Sequence, residues 1–134
     1  MRVRCVKARP SDEEMAPLGL PQHVGQDFHL TQGKEYVVLG VQLAIGSNIH
    51  GTGVWLHLVS DYGSLSWAPL LLFEVIDGRG SRHWVLRAHS PKLVTLWPQA
   101  FYRDGFHEDL ADGVAQVVNE FGEVRAALEA EAGT

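Results

Sequence analysis

Seven histidines are the first residues whose chemistry has to be weighed. A metal site needs imidazoles and carboxylates brought to one face by close helical or strand spacing. His23, His29, His50, His57, His83, His89 and His107 show no such spacing. His23, His29, His50, His89 and His107 fall in expected loops or at element ends, and His57 and His83 sit beside large apolar residues. They read as surface or packed histidines, with no metal and no cofactor. Nucleophilic catalysis needs a Ser, Cys or Thr with a base and an orienting group, and Ser64, Ser66 and Ser90 lie outside any Gly-x-Ser-x-Gly elbow. No Lys-Ser/Thr follows Gly46, Gly51 and Gly53, so these glycines suit turns and not a phosphate cradle. A titrating pair assembled in space from His57, His107, Glu35, Glu74 or Asp61 stays open, because hydrolases of the ribonuclease or glycosidase kind need only two such groups in a cleft. The sequence reads as a binder and not as an enzyme, with a small hydrolase as one alternative.

Aromatic residues carry the other signal. Trp97-Pro-Gln-Ala-Phe101-Tyr102-Arg103 places aromatics and an arginine on a loop expected between sheet and helix, which is the composition of interface hot spots. The competing reading is that Trp97 and Phe101 plug a seam in the core. Trp55, Trp67 and Trp84 alternate into strands and read as core or rim residues.

Charge is distributed unevenly. The chain carries a formal −5, which speaks against nucleic acid, whose binders present a net basic surface. Yet between Asp77 and Asp104 stand Arg79, Arg82, Arg87, Lys92 and Arg103 with no acid, and from Asp104 onward eight acids face Arg125 alone. Either the two segments are neighbours that neutralise each other, or one of them meets a partner of opposite charge. A rival follows from the basic segment, in which Arg79, Arg82, Arg87 and Lys92 with Trp84 hold a single strand by phosphate contact and stacking.

The elements that must position these residues are mostly strands. Arg2 to Lys7 alternates basic and apolar residues, as a half-buried strand does. Ser11 opens a helical turn, and Pro17, Gly19, Pro21 and Gly25 mark a long loop. A strand is expected within Leu30–Val41, a hairpin connection over Ala44–Gly53, a strand over Val54–Val59, a turn at Ser60–Gly63 and a returning strand at Leu65–Trp67. Leu70–Ile76 should be a helical turn running into a strand, and Trp84–Leu86 with Leu93–Trp97 a hairpin around Pro91. Six strands result. Leu110, Val114, Val117, Val118, Phe121, Val124 and Leu128 recur at helical spacing, predicting one amphipathic helix with Asp109 as N-cap and Gly122 as a weak point or close contact. The 134 residues suit one domain, a β-rich body over 1–103 followed by a helical segment over 104–134. The lone Cys5 and the absence of an export signal or an apolar span of about 20 residues place the chain in the cytoplasm, unanchored.

Leu30-Thr-Gln-Gly-Lys-Glu-Tyr-Val-Val-Leu39 and Asp61-Tyr-Gly-Ser-Leu-Ser-Trp67-Ala-Pro69, followed by Leu72-Phe73-Glu74-Val75, resemble segments of a bacterial SH3-like small barrel between Phe28 and Val75. The acidic, tyrosine-rich first loop of SH3 domains is replaced by Pro17-Leu-Gly-Leu-Pro21, which argues against polyproline binding. With its acidic terminal helix, the whole chain is similar to immunity proteins of bacterial polymorphic toxins. That resemblance implies a stoichiometric inhibitor that occludes a toxin's active site. The expectation is therefore an α+β domain with a small, partly open, antiparallel SH3-like barrel, an extra hairpin and a C-terminal amphipathic helix. Its acids Asp104, Glu108, Asp109, Asp112 and Glu123 would face a basic toxin domain, with Trp97, Phe101 and Tyr102 as the apolar anchor.

Overall fold

The Arg2–Cys5 alternation does form a half-buried strand: Val3 and Cys5 are fully buried, and Arg2 and Arg4 turn outward. The computed structural model describes residues 1–19, 27–47 and 51–133. Its strands are β1 (Arg2–Cys5), β2 (Glu35–Val37), β3 (Gly40–Ser47), β4 (Gly51–Val59), β5 (Leu65–Pro69), β6 (Phe73–Asp77), β7 (Trp84–Ser90) and β8 (Leu93–Pro98). The helices are α1 (Asp12–Met15), α2 (Phe106–Ala111) and α3 (Ala115–Ala132), with 3₁₀ turns at Leu70–Leu72 and Gln99–Tyr102. All strand pairing is antiparallel, in a three-stranded sheet of order β2-β1-β6 and a five-stranded sheet of order β5-β4-β3-β8-β7.

Local chemistry accounts for several boundaries. Ser11 caps α1 through a capping box with Glu14, and Lys7 clamps that carboxylate at 2.7 Å. Pro69 closes β5, and the chain turns through Leu70–Leu72 into β6, as the sequence pattern predicts. The mixed α+β class also agrees. Among the described residues the strands, however, make two separate sheets and no closed barrel. There are eight strands among the described residues where about six were expected, because the Leu30–Val41 stretch divides into β2 and β3, and β3 and β4 extend into the Ala44–Gly53 stretch expected as a hairpin connection.

The C-terminal helix is also divided. Gly113, at φ 73°, donates to the Leu110 carbonyl while Val114 donates to that of Asp109, the paired bonds of a Schellman stop. Asp109 therefore lies inside α2, not at an N-cap; Gly105 and Val114 hold the two cap positions. The break shifts the helical phase, so α3 buries Val117, Phe121, Leu128 and Ala132 while Val114 and Val118 stay exposed. Gly122 touches nothing that an added methyl would meet, so it is no close-contact site.

One buried cluster joins the two sheets through Val3, Cys5, Tyr36, Leu56, Leu58 and Leu72. A second packs Leu39 and Phe101 against Phe106, Val117, Phe121 and Leu128 of the helices. Among the described residues, no helix is long and apolar enough to cross a membrane.

Candidate functional site

Strand register builds the site from β4 outward. His57 pairs with Trp67 of β5 on one side and with Gly40 of β3 on the other, so the three share the face turned to the helices. Gly40 carries no side chain, and the space a methyl would take is filled by the Trp97 ring, 2.7 Å away. Trp67 and Trp97 can therefore crowd over His57. The Trp67 ring stacks on the imidazole at 3.7 Å with the planes 3° apart. His57 is only 1% exposed.

A second imidazole reaches this pocket from α2. The Phe106 ring, buried against Phe101 at 5.1 Å, seats the helix and presents the next residue, His107, to the sheet. The two Nε2 atoms of His57 and His107 lie 2.9 Å apart, and His57 Nδ1 lies 3.0 Å from the Ser66 carbonyl. A carbonyl only accepts, so Nδ1 of a neutral His57 carries the proton and its Nε2 accepts from His107 Nε2–H. The tautomer of His107 follows, with its lone pair on Nδ1. Burial holds the His107 pKa below its ordinary value, with Glu108 pulling the other way. The imidazoles border a cleft of about 640 Å³ whose walls include Leu65, Trp67, Leu110, Phe121 and Arg125. Arg125 donates to Glu129 at 2.6 Å.

Beside this pair runs a polar relay. Tyr102 donates to the Val85 carbonyl at 2.7 Å, which directs the Thr95 hydroxyl toward Tyr102 at 2.8 Å and leaves Thr95 to accept from His89 Nε2 at 3.0 Å. The Arg87 guanidinium lies over the Tyr102 ring, 4.2 Å from its centre.

These positions sort the residues singled out by the sequence. His57 and His107 do come together, although they lie 50 residues apart. The acids considered with them do not join them: Glu35 faces Arg2, Glu74 pairs with Arg4, and Asp61 is held by Lys34, Thr31 and Tyr36, which bring its carboxyl pKa down to about 2. Phe101 is 1% exposed, Tyr102 is buried and Trp97 is half-buried. The expectation of an exposed aromatic anchor is corrected: these rings fill the seam between sheet and helices, because the 3₁₀ turn that carries Phe101 and Tyr102 folds back under α2. His23 and His50 lie outside the described residues. Among those described, no group of three or more His, Cys, Asp or Glu is placed to hold a metal ion.

The charged segments prove to be neighbours. Arg82 meets Glu131 and Arg103 meets Glu120, so α3 neutralises part of the basic stretch, while Arg79 is taken by Asp77. Trp84 is half-buried and donates its indole N–H to the Leu39 carbonyl at 2.9 Å. Arg87 and Lys92 form no ion pair among the described residues; nor do Asp104, Glu108, Asp109 and Asp112 on α2 and its flanks. Glu123 is exposed on α3 in a separate depression beside His83 and Pro98.

One surface was missed from the sequence. On the sheet face away from the helices, Leu43 pairs with Val94 and Val94 with Ala88, while Val41 pairs with Leu96 and Leu96 with Leu86. Leu43 is 42% exposed and Leu86 62%, and Ile45, two residues along β3, is 58% exposed. The cluster that joins the two sheets takes in Leu56 and Leu58 of β4 and Val41 of β3, with Leu96 of β8 packed against it, and leaves Leu43, Ile45 and Leu86 exposed. Alternation along Leu43, Ile45 and Leu86 was the available signal, but alternation reads the same whether or not something covers it.

Compared with protein-family models, with curated proteins and with solved structures, the chain finds no match.

Proposed function

We propose that the protein is a non-catalytic module that binds another protein. The observation that carries this reading is the open aliphatic strip of Leu43, Ile45 and Leu86, continued by half-buried Val94 and Leu96. Removing such surface from water is worth roughly 25 cal/mol per Å², and contiguous exposed apolar patches mark interaction sites. The cleft beneath α2 supports a catalytic reading less well, since both of its imidazoles are spent on one shared hydrogen bond and no carboxylate lines it.

In its finer form the proposal is that of an immunity protein, a stoichiometric inhibitor of a basic toxin domain. Unpaired Asp104, Glu108, Asp109 and Asp112 favour a cationic partner surface. The SH3-like reading of Phe28–Val75 belongs to the same proposal and is supported by the succession of β3, β4, β5, the Leu70–Leu72 turn and β6. A nucleic-acid role is less well supported, because Arg79, Arg82 and Trp84 are already engaged.

The test is a tagged pulldown from host lysate at low and moderate salt, identifying bound protein and nucleic acid, with Leu43→Ser/Leu86→Ser and Asp104→Lys/Glu108→Lys/Asp112→Lys variants. One protein recovered in near-equal amount, and lost in the aliphatic variant, supports binding. Loss in the charge variant as well supports the basic toxin. Recovery of RNA or DNA alone, or of no macromolecule, overturns the proposal.

A further inference from the structure

Resting on the protein-binding reading, we infer that β7 is the docking edge, taking an extended segment of the partner as a sixth strand, with aliphatic residues on one face and acidic residues on the other. Natural sheets protect their edges by shortness, proline, cover or charge. The opposite edge of this sheet, β5, has five residues, ends in Pro69 and runs straight into a 3₁₀ turn. In the other sheet, edge strand β2 has three residues, and edge strand β6 carries Glu74 tied to Arg4. β7 differs from all three. It has seven residues, contains no proline, and is exposed at every position from Val85 to Ser90. Its charged residue does not shield the edge, since the Arg87 guanidinium lies back over the Tyr102 ring.

The edge is also held in shape before any partner arrives. Six cross-strand pairs fix β7 on β8, and the Tyr102 hydroxyl anchors the Val85 carbonyl. That carbonyl is taken, and the pairing with β8 slips between Ala88 and Ser90, so Leu86 to Ala88 is the open, regular run.

The face pattern of β7 dictates the occupant. Leu86 and Ala88 share the aliphatic strip with Leu43, Val94 and Leu96, while Arg87, paired with Thr95, points to the opposite face. A strand added beside β7 places alternate side chains against these two rows. Aliphatic residues extend the strip, and the intervening residues meet Arg87, with Lys92 at the end of the hairpin. Neither cation has an acid partner among the described residues. The same charges disfavour a second copy: β7 lies within a stretch that has no acid between Asp77 and Asp104, so pairing β7 with itself sets cation against cation. The occupant is an acidic strand of another protein, held by backbone hydrogen bonds as in other strand-addition complexes.

The experiment uses the full chain and synthetic capped nonapeptides alternating Val with Glu, read by fluorescence anisotropy and by amide hydrogen exchange. Controls alternate Val with Lys, or carry N-methyl groups on every second amide of the Val/Glu peptide. Expected are at least tenfold tighter binding of the Val/Glu peptide than of the Val/Lys peptide, loss on N-methylation of one edge, and slowed exchange confined to β7. Arg87→Glu, at an exposed position, should reverse the preference between the two peptides. Equal binding of both peptides, indifference to N-methylation, protection elsewhere, self-association through β7, or capture of a single-stranded DNA oligonucleotide in place of peptide would each overturn the inference. No peptide binding, with the lysate partner still lost in Leu43→Ser/Leu86→Ser, removes the strand-addition inference and leaves the protein-binding proposal standing. No peptide binding, with the lysate partner unaffected by Leu43→Ser/Leu86→Ser, would remove both.

Discussion

Replacing Gly40 by Ala tests the packing that builds the His57 pocket. The φ of Gly40 is not in the left-handed region, so an L-residue fits the backbone and only space is at issue. The new methyl would stand 2.7 Å from Trp97 Cδ1 and 3.3 Å from both His57 Cβ and the Leu96 carbonyl. The last two are tight but tolerable; the first is a clash that only displacement of the indole relieves. Overpacking of this kind costs about 1–3 kcal/mol, a fall in Tm of several degrees for a chain of this size. Displacing Trp97 also disturbs its contacts with His57, Tyr102 and His107, whose ring centres lie 4.9–6.1 Å away. Urea unfolding followed by tryptophan emission reads the stability, and near-ultraviolet circular dichroism reads the indole environment. A cycle with Trp97→Leu isolates the cause: in that background Gly40→Ala should cost well under half as much. An undiminished penalty in the Trp97→Leu background, or no penalty with Trp97 in place, would refute the argument that Gly40 exists to admit the ring.

Three further outcomes are expected. His57→Phe keeps the ring stack on Trp67 but leaves His107 Nε2–H without its acceptor, and should cost about 1–3 kcal/mol in denaturant unfolding; a neutral effect would mean that the 2.9 Å pair does not matter to stability. The folded pKa of His107 lies below its ordinary 6.5, so the folded protein binds that proton less readily than the unfolded chain. Its contribution to stability is whole above that value and is lost as pH falls through the folded pKa, and His107→Asn should flatten the stability profile in this range. Asp61, lowered from 3.8 to about 2 by Lys34, Thr31 and Tyr36, stabilises the fold above its unfolded pKa and ceases to do so as pH falls toward about 2; Asp61→Asn should remove that part of the acid transition, and an unchanged slope would show that the carboxylate is not held.

Strand periodicity, turn chemistry and the helical turn opening at Ser11 are local, and they were legible because each is decided within a few residues. So were the α+β class, the buried Cys5 and the hairpin around Pro91. The division of the last helix was present too, as the Asp112-Gly113 pair, but apolar spacing continues across it and hid the stop. Which faces are covered was not legible. Leu43, Leu86 and Leu56 are the same residue type in the same kind of strand, yet Leu56 is buried in the cluster that joins the two sheets and the other two face water outside it. The sequence placed His57 and His107 in a set of candidates without showing that they touch; register on β4 and the seating of Phe106 decide that, over 50 residues of separation. Phe101 and Tyr102 looked like anchors for a partner, and chain direction after β8 turned them inward. Composition and periodicity record what each segment prefers, whereas contact between segments is fixed by how sheets and helices stack, and the site is made of such contacts.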